Sequence, residues 1–187
     1  DVCSSDLPSR GSASLMGKDC WKESLTVRMQ CGYVPRRAVS DPQDTVNDVL
    51  NLSAALRLGQ EIDWDFVQSQ VEHFKIEPRK RMMTLSAGQQ GIISLIVAMM
   101  SHPTVLLMDE PSEINDEMQE GLVTLLQLLD SSQTLIMATS NPELAGKLCN
   151  RVALLRRGKI LSIIGGESLL SQIVRKVEIS LMYALQL

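Results

Sequence analysis

Thr104-Val105-Leu106-Leu107-Met108-Asp109-Glu110-Pro111-Ser112 decides the fold class. Val105 to Met108 is a short continuous apolar run, the composition of a parallel strand buried on both faces. Two adjacent carboxylates follow it. A strand ending this way delivers acids to the carboxyl edge of a sheet, where nucleotide sites form in α/β folds. Asp109 is a candidate Mg²⁺ ligand acting through water, because Mg²⁺ keeps much of its hydration shell. Glu110 is a candidate general base, able to orient and deprotonate an attacking water. The plain alternative is a strand that ends at the surface in two solvated acids.

Upstream of that strand, Leu85-Ser86-Ala87-Gly88-Gln89-Gln90 introduces an apolar helix predicted from Gln89 to Met100. Ser86 with Gln89 three residues later has the form of a capping box. The helix entrance then offers backbone amides and partial positive charge to an anion, with Gly88 allowing close approach. Downstream, Met118, Leu122, Leu125, Leu126 and Leu129 mark an amphipathic helix, and Leu135 to Ala138 a second buried strand. Asn141-Pro142 starts the next helix, since Pro at the first helical position lacks only an amide that would be unpaired anyway. Arg151 to Leu155 and Lys159 to Ile164 read as two strands turning at Arg157-Gly158. Strands alternating with helices imply a mostly parallel sheet covered on both faces.

Residues 42–81 have a helical character of their own. Thr45 is a predicted N-cap with Asp48 near the positive helix end. Val46, Val49, Leu50 and Leu56 follow at helical spacing, and Gly59 is the expected stop. Asp63 opens a second helix whose Phe66, Val67, Val71 and Phe74 share a face, ended by Pro78 and Arg79-Lys80-Arg81. Before this block the pattern predicts a strand from Ser12 to Met16 closed by a Gly17-Lys18 turn, a helix from Cys20 to Arg28, and a strand from Met29 to Val34 stopped by Pro35. Residues 1–10 have no period and no initiator Met, which predicts a fragment whose first residues are not native.

The 187 residues are 44% hydrophobic with a net charge of -4. That length fits one domain with a sizeable core. The acidic balance argues against a basic nucleic-acid platform or a polybasic membrane surface. The longest apolar stretch, Ile92 to Met100, is interrupted by Ser94 and is far below the roughly 20 residues of a membrane span. A soluble cytosolic domain is expected. Cys3, Cys20, Cys31 and Cys149 form no C-x-x-C pair and read as reduced thiols. His73 and His102 read as surface histidines.

Taken together, these strings resemble the nucleotide-binding domain of ABC transporters. Leu85–Gln90 is similar to the signature sequence, and Val105–Glu110 to the Walker B strand with its catalytic glutamate. Asp116 stands at the acidic end of the D-loop position, after an unusual Glu113-Ile114-Asn115. Gly32-Tyr33-Val34-Pro35 resembles the strand leading into the Q-loop, and Thr139-Ser140-Asn141 lies at the switch-histidine position. The resemblance implies a P-loop NTPase-like α/β core in residues 11–41 and 101–165, a helical subdomain with the signature in residues 42–100, and a tail in residues 166–187. It implies ATP and Mg²⁺ as cofactors. It also implies a second nucleotide-binding domain and an integral membrane permease as partners, which would hold the chain on the cytoplasmic face of the cell membrane. In that scheme Ser86, Ala87, Gly88 and Gln89 serve the partner's ATP, while Asp109 and Glu110 serve the nucleotide of their own subunit.

The sequence also departs from the family. G-x-x-x-x-G-K-[ST], which cradles phosphates with backbone amides and its Lys, does not occur. The nearest string, Gly11 through Gly17-Lys18-Asp19, has one residue too many between glycines and ends in a carboxylate. The chain is therefore expected to begin after Walker A, with the first strand and phosphate loop missing. Arg36 replaces the Q-loop glutamine and Ser140 the switch histidine; Ala87 and Gly91 replace residues of the usual signature. Two alternatives to an active transporter subunit follow. One is a degenerate regulatory half with little hydrolysis; the other is a soluble ABC ATPase without a transport role.

Overall fold

The computed structural model describes residues 10–165, apart from 39, 58 and 111–115; the side chains of 116–119 also lie outside the description. The predicted Glu113-Ile114-Asn115 interior and the 166–187 tail fall outside it. In chain order the strands are β1 (Ser14–Leu15), β2 (Lys18–Asp19), β3 (Cys31–Val34), β4 (Val105–Asp109), β5 (Thr134–Ala138), β6 (Arg151–Arg156) and β7 (Lys159–Gly165). The helices are α1 (Ser24–Met29), α2 (Val46–Ala55), α3 (Trp64–His73), α4 (Ala87–Met99), α5 (Asp116–Leu126) and α6 (Pro142–Leu148). Strands β3, β4 and β5 form a parallel sheet in that order, as the apolar run at Val105 predicts.

Helix α4 is the centre of the packing. Gly88, Ile92, Ile93, Leu95, Ile96, Ala98 and Met99 are all buried along it, so it is apolar nearly all round. Such a helix belongs inside a core rather than on its surface. It shares one cluster with Val46 and Leu50 of α2, Val67 and Val71 of α3, Leu106 and Met108 of β4, and Leu122 and Leu125 of α5. Each fully buried Ile or Leu contributes roughly 2 kcal/mol. Where α4 crosses β3 the backbones nearly touch. A Cβ on Gly32 would stand 2.4 Å from the Ala98 carbonyl oxygen.

The helix entrances follow the expected capping chemistry. Thr45 and Asp48 close a complete capping box at α2, and Asp63 accepts the Phe66 amide at α3. The next two donors of α2 find partners in the segment after α3: Val46 N–H donates to Lys80 O at 3.0 Å and Asn47 N–H to Pro78 O at 2.9 Å. Pro78 and Lys80 thus return their carbonyls to α2, which the sequence does not reveal.

Several boundaries differ from the sequence pattern. The N-terminal strand is only Ser14–Leu15, and Lys18 pairs back antiparallel with Leu15. Met16 (φ 53°) and Gly17 (φ 78°) make the two-residue reversal that a tight hairpin requires. Helix α1 starts only at Ser24, because the Asp19 carboxylate holds the Trp21 and Lys22 amides in a turn at 2.9 Å. Helix α2 stops at Ala55, short of Gly59, and Leu56 is 73% exposed rather than on the buried face. Lys75 (φ 51°) ends α3 before Pro78 is reached. Strand β5 is half-exposed, with Ile136 open to solvent, because only β4 pairs with it among the described residues. Strands β6 and β7 pair antiparallel in a sheet of their own rather than extending the parallel one. The turn at Arg157-Gly158 stands where it was expected, with φ of 48° and 73°.

The described cysteines, Cys20, Cys31 and Cys149, are free, and burial pushes the Cys31 and Cys149 thiols up. His102 is exposed, yet its Nε2 lies 2.8 Å from Asp63 Oδ2 and ties the α4–β4 turn to the start of α3. No described helix is long and apolar enough to cross a membrane.

Gly32→Ala should destabilise the fold by about 2 kcal/mol, the usual scale for overpacking against an unyielding neighbour. Denaturant unfolding of the two forms checks it, and an unchanged midpoint would mean that α4 does not rest on β3 this closely.

The Asp63 carboxyl is held below its ordinary value, first by the Phe66 amide and then by the His102 side chain. Asp48 is lowered by the Thr45 hydroxyl and then the Thr45 amide. A carboxylate lowered in the folded state stabilises above its unfolded value of about 3.9, and that contribution is lost as pH falls through the folded value. Stability measured by denaturant should therefore decline below about pH 4, less steeply in Asp63→Asn.

Candidate functional site at the carboxyl edge of the sheet

Parallel pairing of β4 with β5 sets Asp109 opposite Ala138. One residue further, Glu110 N–H donates to Ala138 O at 2.8 Å, so the ladder outlasts the strand. Glu110 adopts φ 46°, a left-handed backbone uncommon for a residue with a side chain. Such strain costs about 1 kcal/mol or more and clusters at functional sites. Two residues past Ala138, Ser140 donates both its N–H and its hydroxyl to Glu110 Oε1, each at 2.9 Å. The structure therefore joins Glu110 with Ser140, two positions 30 residues apart in the chain.

The loop that carries Ser140 is fixed on both sides. Thr139 Oγ1 accepts the Asn141 amide at 3.0 Å. Asn141 Oδ1 caps α6 by accepting the Glu143 and Leu144 amides, with Pro142 at the first helical position. Beside this pair, Asp109 is exposed, and its carboxylate has no hydrogen bond or ion pair to another described residue. A solvated hard oxygen donor fits a Mg²⁺ ion that keeps most of its water. No group of three or more metal-ligating side chains occurs among the described residues.

Ser86 and Gln89 form the predicted capping box: each side chain accepts the other's backbone amide at 3.2 Å. Ser86 and Ala87 are exposed at the entrance of α4, whereas Gly88 is buried. Gln90, which sequence reasoning left without a role, reaches back from α4 to Met82 O at 3.0 Å and Leu85 O at 3.2 Å. It thereby holds the turn before Ser86. The side-chain bonds of Ser86 and Gln89 thus close on each other, not on Asp109, Glu110 or Ser140. Arg36 is exposed in the bend after Pro35. Asp116 is the first residue of α5, and its side chain lies outside the described residues.

Gly17 closes the hairpin turn and Lys18 opens β2, with Lys18 Nζ paired to Glu23 at 3.1 Å. The lysine is engaged by a carboxylate and the following residue, Asp19, organises a turn. That geometry is no phosphate cradle. Arg57 is a further residue that the sequence did not single out. Half-buried, it donates to Ser101 Oγ and Val97 O, each at 2.8 Å, and fastens the α2–α3 connection to the end of α4. Burial pushes its guanidinium value down. The signal for such a residue is tertiary, because its partners lie some 40 residues away. A cleft of about 660 Å³ is lined by Glu61, Asp63, Asp65 and His102 among others, and shares no residue with the Asp109–Glu110 edge.

The chain matches the ABC transporter family over residues 2–113, and it belongs to that family. An uncharacterized ABC transporter ATP-binding protein of Methanocaldococcus jannaschii is 26% identical over 143 residues. That match covers 72% of this chain and 53% of the relative, so the chain spans about half the length of the protein it resembles. The solved ATP-binding subunit of an ABC transporter superposes with a TM-score of 0.76 at 18% identity, covering 94% of this chain and 78% of that one. A dimeric ATP-binding cassette bound to ADP and phosphate in a post-hydrolysis state gives 0.72 at 17% identity, covering 84% and 74%. At such identities the superpositions establish the fold: an α/β domain of the ABC ATPase type.

Ser86→Ala should lower stability by about 1 kcal/mol, because it removes the acceptor that closes the α4 capping box. Thermal unfolding measures this. A neutral result would mean that Gln90 alone holds the helix entrance.

Proposed function

We propose that this chain is part of the ATP-binding subunit of an ABC-type membrane transporter. The observation that carries the reading is the pair of adjacent carboxylates on the carboxyl end of β4, with Glu110 held in a strained backbone facing the β5–α6 turn. In this reading Asp109 holds Mg²⁺ through water. Glu110 receives the proton of the attacking water, a role in which a positioned carboxylate typically contributes 10²–10⁴-fold. The bound nucleotide supplies the phosphoryl group whose transfer is catalysed by positioning and charge stabilisation. Ser86, Ala87, Gly88 and Gln89 present the α4 entrance to the ATP of a second nucleotide-binding domain, and Asp116 belongs to the same contact. Residues 42–100 act as the helical subdomain, with residues 11–41 and 101–165 as the core.

A permease partner is supported by an apolar groove of about 250 Å³ between β3 and the helices, lined by Tyr33, Pro35, Val49, Met82, Ile93 and Val97 among others. Tyr33 is 56% exposed there, and an apolar helix from the membrane partner would cover it. The subunit would then sit on the cytoplasmic face of the membrane through that permease. Nucleic acid is not an expected partner of a chain with net charge -4.

A second reading, the regulatory half with little hydrolysis of its own, is favoured by Arg36 and Ser140 standing at the Q-loop and switch positions. The two readings separate on turnover. In the complete protein, Glu110→Gln should cut ATP hydrolysis by roughly 100-fold while nucleotide affinity stays within about twofold, because the amide keeps the shape but cannot take the proton. Steady-state rates with parallel binding isotherms are the measurement. Unchanged turnover removes Glu110 from catalysis, and lost affinity makes it a binding residue.

A further inference from the structure

We infer that Ser140 is a positioning residue that ties the Glu110 carboxylate to the β5–α6 turn, so that its two donors restrain the carboxylate and weaken it as an acceptor for an attacking water's proton, and turnover is damped. The inference rests on the reading of Glu110 as the base. Both donors of Ser140, its N–H and its hydroxyl, converge on Oε1 at 2.9 Å. A carboxylate oxygen presents about two lone-pair directions, so these two donors fill that oxygen. Hydrogen bonds to an ionised acceptor are roughly twice as strong as neutral ones.

Neither end of the pair is loose. Glu110 is anchored by its own N–H on Ala138 O and turned by its φ of 46°. Residue 140 is held between the end of β5 and the Asn141 cap of α6. Ser140 is therefore more than a side chain shorter than the histidine expected at this position: it makes a contact of its own with the carboxylate. The two ideas predict opposite outcomes for one substitution. If Ser140 merely lacks reach, Ser140→Ala leaves turnover unchanged or lower. If Ser140 restrains Glu110, Ser140→Ala raises it.

The first arm of the test uses the 187-residue chain without nucleotide. Amide hydrogen exchange at Ser140, followed by NMR, should accelerate about tenfold or more in Glu110→Ala, the loss expected for a charge-assisted bond. The amides of Val105 to Met108 should keep their protection. If that variant loses the strand, Glu110→Gln replaces it, and a neutral acceptor should still give acceleration of about threefold. Unchanged exchange at Ser140 in a folded variant overturns the hydrogen bond and the inference with it.

The second arm uses the complete protein. Ser140→Ala should raise kcat about threefold or more at unchanged KM, and Ser140→Thr, which restores the hydroxyl, should bring it back down. A kcat that stays level or falls in Ser140→Ala overturns the damping. A complete protein that neither binds nor hydrolyses ATP removes the proposed function and the damping together, while the exchange arm still decides whether Ser140 holds Glu110.

Discussion

The burial of α4 against β3 is the contact on which the other parts of the structure depend. A helix that is apolar on nearly every side must be enclosed, and α4 is enclosed by α2, α3, α5 and the sheet at once. Gly32 makes that enclosure close, because the Ala98 carbonyl occupies the space a side chain would need. The Ser86 end of α4 carries the signature-like entrance, and its other end runs through His102 and Pro103 into β4. One buried rod therefore sets the position of both candidate site segments. A shift of α4 would move the capped entrance and the carboxylate-bearing strand together.

At the other end of β4, register does what packing does at α4. Parallel pairing brings the ends of β4 and β5 level, so residues immediately after each strand become neighbours. Glu110 and Ser140 meet for that reason alone. The left-handed Glu110 backbone is a local conflict tolerated because the Ala138 and Ser140 hydrogen bonds oppose it. Strain held by surrounding bonds is a common feature of catalytic edges. Here the same bonds hold the carboxylate against the β5–α6 turn.

Much of this was legible in the chain itself, and for definable reasons. Helix entrances at Thr45, Asp63, Ser86 and Asn141 depend on side chains within three residues of the backbone they cap, so local sequence suffices. The apolar runs at Ile92 and Val105 leave no alternative to burial. Helix stops were read less well. Gly59 and Pro78 attracted the reading, yet Lys75 ended α3 earlier, and α2 stopped before Gly59 was reached. A stop depends on where the next element must go, and that is set by contacts elsewhere.

The sequence by itself determined the α/β class, the parallel strand ending in Asp109-Glu110, and the capped entrance at Ser86, because each is written in short-range pattern and chemistry. Its resemblance to ABC ATPases determined the family. Only the tertiary structure decided that Ser140 grips Glu110, that Gln90 and Arg57 brace the two ends of α4, and that the β6–β7 hairpin forms a sheet apart from the parallel one. Most of these contacts join residues 30 or more positions apart or depend on strand pairing across the sheet. Separation along the chain carries no pattern, and partners at that distance are chosen by which surfaces the core brings together.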